Sequence, residues 1–478
     1  MSPKPPFYFV LLFLLMEASP ATPQEIFFNK VLPPEGKTFV HVSGIVQDMQ
    51  GYMWFATKRG LFRYDGYRMT SYKHNPADTN SLSTDALDAI CIDATGILWI
   101  GTLGNGLERF DPSTGIFTHF RPDPKDPESL SSNWIWAVLE DQEGTLWVGT
   151  ANGLDRFDSQ RKKFIHFRNQ PDNVASISCN EVRAIYEDKV GTLWIGTGNV
   201  YAGKEDEGGL NRMDKKAGTF IRYLHEPKDP LSLINNKVRA IFEDSKGNFW
   251  VGTAGDGLHT MDRKTGKFQR HLYDPAHPEK LSRPPYKKKS IYDHITFITE
   301  DVSGAIWIGT AESGLNHYDP PTETTKHYEL EKDTAGAFSD GTAWWSYNSK
   351  DGNVWIGTLW GNLYRINPHR QNIPYYESLD GSVKSICEEA DGSLWRGTQK
   401  GLQFQHKQAE NEIIRFVNDP GNPASLSNNS VEVIKKDRQG NIWVGTQDGL
   451  NLLDKNKGTF TRYRHDAKNN NSQAAIIF

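Results

Sequence analysis

A seven-residue motif, Gly-x-x-Trp-x-x-Thr, occurs nine times in this chain. Its tryptophans lie 40 to 57 residues apart along the sequence. A period of this length is typical of repeat architectures, in which each repeat buries its apolar surface only against its neighbours. The repeat therefore constrains the fold more than any other feature of the sequence. The nine tryptophans are Trp54, Trp99, Trp147, Trp194, Trp250, Trp307, Trp355, Trp395 and Trp443.

One repeat, between Asn180 and His225, contains four short β-rich runs that are separated by Gly and Asp turns. No helical period lies between them, so the pattern predicts one four-stranded antiparallel sheet per repeat. Such a sheet cannot cover both of its faces alone, but sheets stacked radially cover one another. We therefore predict an all-β fold, a β-propeller of four-stranded antiparallel blades, with one seven-bladed ring and the start of a second.

The repeated residues are predicted to be structural. The nine tryptophans are expected to wedge between blades, and the recurring aspartates to accept N–H groups of the turns. An active site occurs once in a chain, whereas these aspartates recur seven times, which argues against catalysis. No spacing of His or Cys is typical of metal ligands, so no metal and no cofactor are predicted. The aspartates are Asp48, Asp93, Asp141, Asp188, Asp244, Asp301 and Asp437.

The two ends of the chain suggest how it is divided. Residues 7–16 form an apolar run that is too short to span a bilayer and is followed by small residues, so residues 1–21 are predicted to be a signal peptide. Residues 22–378 are assigned to the seven-bladed propeller and residues 379–478 to about two blades of an incomplete one. The break is placed at the short interval between Trp355 and Trp395. Residues 472–478 align with the first strand of a repeat, so we expect a longer protein.

Composition excludes some classes of partner. The formal net charge is −5 with both signs interspersed, which does not favour a nucleic-acid surface. Cys91 and Cys387 occupy equivalent positions in distant repeats, where they are poor disulfide partners, so they are expected to be buried thiols.

The repeats resemble the two-component regulator propeller repeat. The resemblance is carried by Asp-x-x-Gly-x-Leu-Trp-Ile-Gly-Thr followed by Gly-Gly-Leu-x-Arg-x-Asp, best matched at residues 93–111 and 188–214, and by the connectors at 126–133 and 422–429. It covers roughly residues 40–478.

This resemblance implies a periplasmic sensor region of the kind found in hybrid histidine kinases of Bacteroidetes, which sense oligosaccharides released from polysaccharides. It implies paired seven-bladed propellers, a homodimeric full-length protein, an inner-membrane anchor beyond this sequence, and a signal passed to a histidine kinase that is absent from this chain.

A ligand site in a propeller is expected among residues that differ between blades. The 2–3 loops and the links between blades share one face, and the length variation of this chain concentrates there. Five tryptophans outside the motif also map to this face: Trp134, Trp136, Trp344, Trp345 and Trp360. Aromatic rings beside charged side chains suit sugars, whose C–H faces stack while their hydroxyls form hydrogen bonds. Packing between blades remains an alternative, above all for Trp345.

One position near the start of the first strand changes its chemistry from blade to blade, as a ligand-reading ring would. Its occupants are Asp88, Trp136, Arg183, Arg239, Thr296 and Trp344. Solvent-exposed variability is the alternative. The predicted contact residues are Trp136, Arg183, Arg239 and Trp344, surrounded by Trp360, Tyr201 and Lys204.

Two other functions remain open, a propeller enzyme that acts on glycans as a lyase or hydrolase, and a scaffold for protein interactions. No His/Glu or paired-carboxylate set is unique in the sequence, so no catalytic residues are predicted.

Overall fold

The computed structural model describes residues 26–33, 38–201, 207–255, 257–285, 293–328, 337–368, 382–407 and 413–464. These residues form nine four-stranded antiparallel sheets, which confirms the predicted all-β propeller of four-stranded blades. Contacts divide the chain into two compact units, residues 1–372 and residues 373–478. The predicted signal peptide and residues 472–478 lie outside the described residues.

The described residues of unit 1 (residues 1–372) form seven sheets. Its strands are Asn29–Lys30 (β1), Val42–Gln47 (β2), Met53–Thr57 (β3), Gly60–Tyr64 (β4), Met69–Tyr72 (β5), Leu87–Ile92 (β6), Leu98–Thr102 (β7), Leu107–Asp111 (β8), Ile116–Phe120 (β9), Ile135–Glu140 (β10), Leu146–Thr150 (β11), Gly153–Asp158 (β12), Lys163–Phe167 (β13), Val182–Glu187 (β14), Leu193–Thr197 (β15), Gly209–Asp214 (β16), Thr219–Tyr223 (β17), Val238–Glu243 (β18), Phe249–Thr253 (β19), Leu258–Asp262 (β20), Lys267–Arg270 (β21), Ile295–Glu300 (β22), Ile306–Thr310 (β23), Leu315–Asp319 (β24), Thr324–Tyr328 (β25), Trp345–Asn348 (β26), Val354–Gly357 (β27) and Leu363–Ile366 (β28).

Unit 2 (residues 373–478) contains two sheets, which pack on each other around Trp395, Val431 and Ile434. Its strands are Val383–Glu388 (β29), Leu394–Thr398 (β30), Gly401–Gln405 (β31), Ile413–Phe416 (β32), Val431–Lys436 (β33), Ile442–Thr446 (β34), Gly449–Asp454 (β35) and Thr459–Tyr463 (β36).

The seven sheets of unit 1 form a closed ring. The first strand of each sheet contacts the first strand of the next, and β26 of the seventh sheet returns to β2 of the first. The seventh sheet has the order β1-β28-β27-β26, so its outer strand comes from the N-terminal side of the chain. There Asn29 pairs with Arg365 and Lys30 with Tyr364. A ring closed in this way leaves only short strand edges exposed.

Each motif tryptophan is fixed by a hydrogen bond that the sequence analysis did not predict. The indole Nε1 of Trp194 donates to Oδ2 of Asp188 at 2.9 Å, while Oδ1 of the same carboxylate accepts the Thr192 N–H at 2.8 Å. The aspartate thus closes the turn, as predicted, and also orients the ring that packs between blades. Two repeats vary the acceptor, which is Ser349 for Trp355 and Glu389 for Trp395.

All three cysteines are free. Burial raises the pKa of the Cys91, Cys179 and Cys387 thiols, although each of these residues is only partly buried. The part of the chain that the structure describes offers no helix with the length and apolar character of a membrane span.

Candidate functional site

The first strand of the first six sheets carries a β-bulge at its second residue. In the third sheet, for example, Ile135 pairs with Thr150 and Ala137 with Gly149, so Trp136 is the extra residue. A bulge bends the strand and re-aims the side chain at the extra position, and bulges are common beside functional sites. The extra residues are Ser43, Asp88, Trp136, Arg183, Arg239 and Thr296.

The seventh sheet places Trp344 at the same position. Trp345 pairs with Gly357 just as Ala137 pairs with Gly149, and Trp344 precedes it. The variable series found in the sequence is therefore the series of bulge residues.

A cavity of about 690 Å³ lies where these bulges converge. All seven blades contribute lining residues, from their strands or from the adjoining loops, which places the cavity on the axis of the ring. Its size is within the range of small-molecule sites. Its lining residues are His41, Lys58, Asp88, Leu103, Trp134, Trp136, Ala151, Glu181, Arg183, Gly198, Asn199, Val200, Tyr201, Arg239, His294, Trp344 and Leu359.

One wall of the axial cavity is a stack of Arg183 on Trp136. The guanidinium carbon lies 3.7 Å from the ring centroid, within the range of a cation–π contact. The Trp134 ring lies 5.7 Å from the Trp136 ring and is 48% exposed, so it extends the aromatic surface toward solvent. Glu181 Oε2 lies 3.3 Å from Arg183 Nη2 as an ion pair without hydrogen-bond geometry.

A second wall is built around Trp344. The rings of His41 and His294 meet it edge to face at 4.7 Å and 5.8 Å. The guanidinium carbon of Arg239 lies 5.6 Å from the Trp344 ring, and Arg239 Nη1 donates to the backbone oxygen of Arg183 at 2.9 Å. The two arginines are therefore held side by side.

Lys58 and Asp88 form an ion pair at the same cavity, with Nζ 2.5 Å from Oδ1. Lys58 also donates to the Leu87 oxygen at 2.8 Å. Lys58 comes from the loop after β3, whereas Asp88 is a bulge residue of β6.

Five buried polar atoms of the cavity lining lack a hydrogen-bond partner among the described residues. They are Trp136 Nε1, Trp344 Nε1, Arg183 Nε, His41 Nε2 and Glu181 Oε2. Buried polar groups are nearly always paired, so such a cluster requires a partner other than the described side chains. A solvent molecule or a ligand in the cavity would provide it.

Burial also sets the charges of the cavity. Burial and the nearby Lys58 lower the pKa of His41 from 6.5 to about 3, so its imidazole is neutral at physiological pH. Burial lowers the pKa of Lys58, and it lowers that of Arg183 to about 10. Among the described lining residues, the cationic side chains of Lys58, Arg183 and Arg239 face the carboxylates of Asp88 and Glu181.

The structure brings together five of the seven predicted contact residues, Trp136, Arg183, Arg239, Trp344 and Tyr201. Trp360 does not line the axial cavity. It is 68% exposed in the loop after β27 and borders a separate depression of about 410 Å³ that includes Asp340. Lys204 lies outside the described residues.

Two other variable positions have structural contacts. Trp345 packs against the buried cluster between the seventh and first sheets, the alternative left open for it. Thr296 Oγ1 donates to the Ala343 oxygen at 2.5 Å.

Sequence reasoning missed His41, Lys58, Glu181 and His294. Lys58 could have been found from the sequence, because it directly follows Thr57 of the motif. In three other repeats the residue after the motif threonine is Leu103, Ala151 or Leu359. Lys58 and these three equivalents all line the cavity. The residue after the motif threonine therefore differs between blades, as the bulge residues do.

Unit 1 is therefore a seven-bladed β-propeller, and the residues that line its axial cavity differ from blade to blade. Four segments of the chain match the family model of the two component regulator propeller, at residues 129–152, 176–199, 232–255 and 425–448. No curated protein sequence matches the chain.

Solved structures share the fold. The extracellular domain assigned to the hybrid two component system BT3049 of B. thetaiotaomicron has a TM-score of 0.60 and 24% identity, covering 92% of this chain and 55% of its own. The domain assigned to BT4673 of the same organism has a TM-score of 0.56 and 21% identity, with 92% and 54% covered. The chain thus spans about half the length of these structures.

Virginiamycin B lyase from Staphylococcus aureus is also similar in fold. It has a TM-score of 0.50 and 13% identity, covering 72% of this chain and 99% of the lyase. At such identities the likeness is one of fold alone.

Proposed function

We propose that this chain is an extracytoplasmic ligand-sensing region of a two-component sensor, and that its axial cavity binds an oligosaccharide derived from a polysaccharide. The regulator propeller repeats and the likeness to extracellular domains of hybrid two component systems support the class. In this proposal the protein is periplasmic, and its complete form is a homodimer anchored in the inner membrane that passes the signal to a histidine kinase.

The observation that carries the sugar proposal is the cluster of five buried polar atoms without hydrogen-bond partners beside indole rings. A sugar matches both the polar atoms and the indole rings, since its hydroxyls form hydrogen bonds while its C–H faces stack on aromatic rings. Trp134 and Tyr201 are each about half exposed at the cavity and provide further stacking surface.

Sensing requires binding but no turnover. A ligand shifts a conformational equilibrium when it binds one state more tightly than the other, so modest affinity is sufficient. The lyase likeness is one of fold alone, and it does not favour an enzyme over a sensor.

The experiment is calorimetric titration of the purified chain with a panel of plant, fungal and host glycan fragments, with product analysis of each mixture. We expect saturable binding of at least one fragment without cleavage. Cleavage of a bound fragment would overturn the non-catalytic assignment. Binding of a protein partner with indifference to every glycan would favour the scaffold.

A further inference from the structure

The unpaired atoms of the axial cavity are mostly hydrogen-bond donors. The Nε1 groups of Trp136 and Trp344 and the Nε group of Arg183 can only donate. Nε2 of His41 belongs to a neutral ring and adds one donor or acceptor according to its tautomer. Oε2 of Glu181 is an acceptor, and it lies 3.3 Å from Arg183 Nη2 in an ion pair. Three of the five atoms therefore require an acceptor.

The cations of the cavity are also incompletely balanced. Lys58 is paired with Asp88, and Arg183 with Glu181. Arg239 forms no ion pair with any residue that the structure describes, and its Nη1 donates a hydrogen bond to the Arg183 backbone oxygen. Within the described part of the chain, one guanidinium thus has no carboxylate partner.

The equivalent position in unit 2 shows how this chain balances charges elsewhere. The bulge residues of β29 and β33 are Lys384 and Glu432, and they form an ion pair at 2.6 Å. In unit 1 the corresponding neighbours are two arginines, and the charge of Arg239 contributes to lowering the pKa of Arg183. Adjacent like charges are unfavourable unless an anion lies between or beside them.

We propose that the ligand of the axial cavity is an anionic sugar, whose carboxylate or sulfate group binds Arg239 and neighbouring N–H donors. This inference rests on the proposed function and specifies its ligand. A neutral sugar hydroxyl is both donor and acceptor, whereas a carboxylate or sulfate only accepts and matches a donor-rich wall. A guanidinium binds either anion through two parallel N–H groups.

The test is a titration of the full chain with two matched pairs of sugars. Tetragalacturonate and its fully methyl-esterified form differ in carboxylate charge, and a sulfated carrageenan tetrasaccharide and its desulfated form differ in sulfate. We expect one acidic member to bind about 10- to 100-fold more tightly than its neutral partner. The pair that responds identifies the anion.

Two substitutions place the anion in the cavity. Arg239→Gln should remove the preference for the acidic sugar, while Arg239→Lys retains the charge and should keep part of it. Arg161→Gln is the matched control, because Arg161 is exposed and pairs with Glu128 outside the axial cavity. Thermal melts check that all three variants fold.

Each outcome decides between the two proposals. Equal affinity for the acidic and the neutral member in both pairs would overturn the anionic ligand and leave the sugar-sensing proposal intact. A charge preference that survives in Arg239→Gln would overturn the assignment to this cavity. Failure of both pairs and of the neutral panel to bind would overturn both proposals.

Discussion

The guanidinium carbon of Arg183 lies 3.7 Å from the centroid of the Trp136 ring, and the two residues occupy the same bulge position of neighbouring blades. The stack leaves Nε of Arg183 and Nε1 of Trp136 buried without partners. A purely structural contact would leave fewer polar groups unsatisfied, since each costs about 1–3 kcal/mol. This pair is therefore the centre of the candidate site.

Motif tryptophans and loop tryptophans should differ in their contribution to stability. Trp194 is buried and its ring lies 4.6 Å from that of Phe249 in the next blade, so Trp194→Ala should lower the free energy of unfolding by about 3–5 kcal/mol through the cavity it leaves. Trp360→Ala should cost much less, since Trp360 lies largely in solvent. Urea denaturation of both variants measures the difference, and equal losses would contradict the division.

The aspartate that orients the motif tryptophan should also contribute to the stability of the fold. Asp48 is buried and accepts hydrogen bonds from Trp54 Nε1 at 2.8 Å and from the Tyr52 N–H at 2.9 Å. Asp48→Ala leaves both donors unpaired and should lower the free energy of unfolding by about 1–3 kcal/mol for each donor that stays buried. Asp78→Ala, in the exposed link between β5 and β6, serves as the control, and equal stability of the two variants would refute the role.

The N-terminal strand should hold the ring closed. Phe28 is 2% exposed and packs against Tyr328 at 5.0 Å and Tyr364 at 6.0 Å. Phe28→Ala should therefore cost about 3–5 kcal/mol, whereas Leu32→Ala in the same segment should cost little because Leu32 is 59% exposed. Thermal unfolding of the two variants checks this, and a Phe28→Ala melt like that of the parent chain would contradict it.

His41 should make stability depend on pH. Its folded pKa of about 3 lies below the unfolded value of 6.5, because burial and Lys58 disfavour the charged ring. Between these values the unfolded chain binds a proton that the folded chain does not, so stability falls as the pH falls. From pH 7 to pH 5 this residue should account for about 2 kcal/mol.

The parent chain is compared with the variant His41→Gln, which lacks the His41 imidazole and keeps every other histidine. Urea denaturation at several pH values should give a shallower dependence for the variant. Parallel curves for the two proteins would show that His41 does not contribute.

The fold could be predicted because its signal recurs. Nine copies of one motif define strand order, turns and the stacking of sheets. The closing strand β1 could not be predicted in this way, since it is two residues long and carries no pattern. The Trp–Asp hydrogen bond was also missed, because a turn aspartate already has a sufficient explanation in the turn itself.

Part of the candidate site could be predicted from the sequence, for a different reason. Side chains alternate between the faces of a strand, so Trp344 and Trp345 have different environments although they are adjacent. Trp344 lines the axial cavity, whereas Trp345 packs between blades. Sequence alone left these two alternatives open, because the register is set by the pairing of Trp345 with Gly357. Trp360 lies on a loop whose direction no periodicity determines.

The central claim is that the axial cavity binds a sugar. Calorimetric titration with the fragment that binds the parent chain tests this claim most directly. Three proteins are compared: the parent, the double variant Trp136→Ala/Trp344→Ala, and Trp360→Ala as a tryptophan control outside the cavity. The account predicts that the parent and Trp360→Ala bind equally and that the double variant, while still folded, loses at least about tenfold in affinity. Unchanged affinity in the double variant would contradict it.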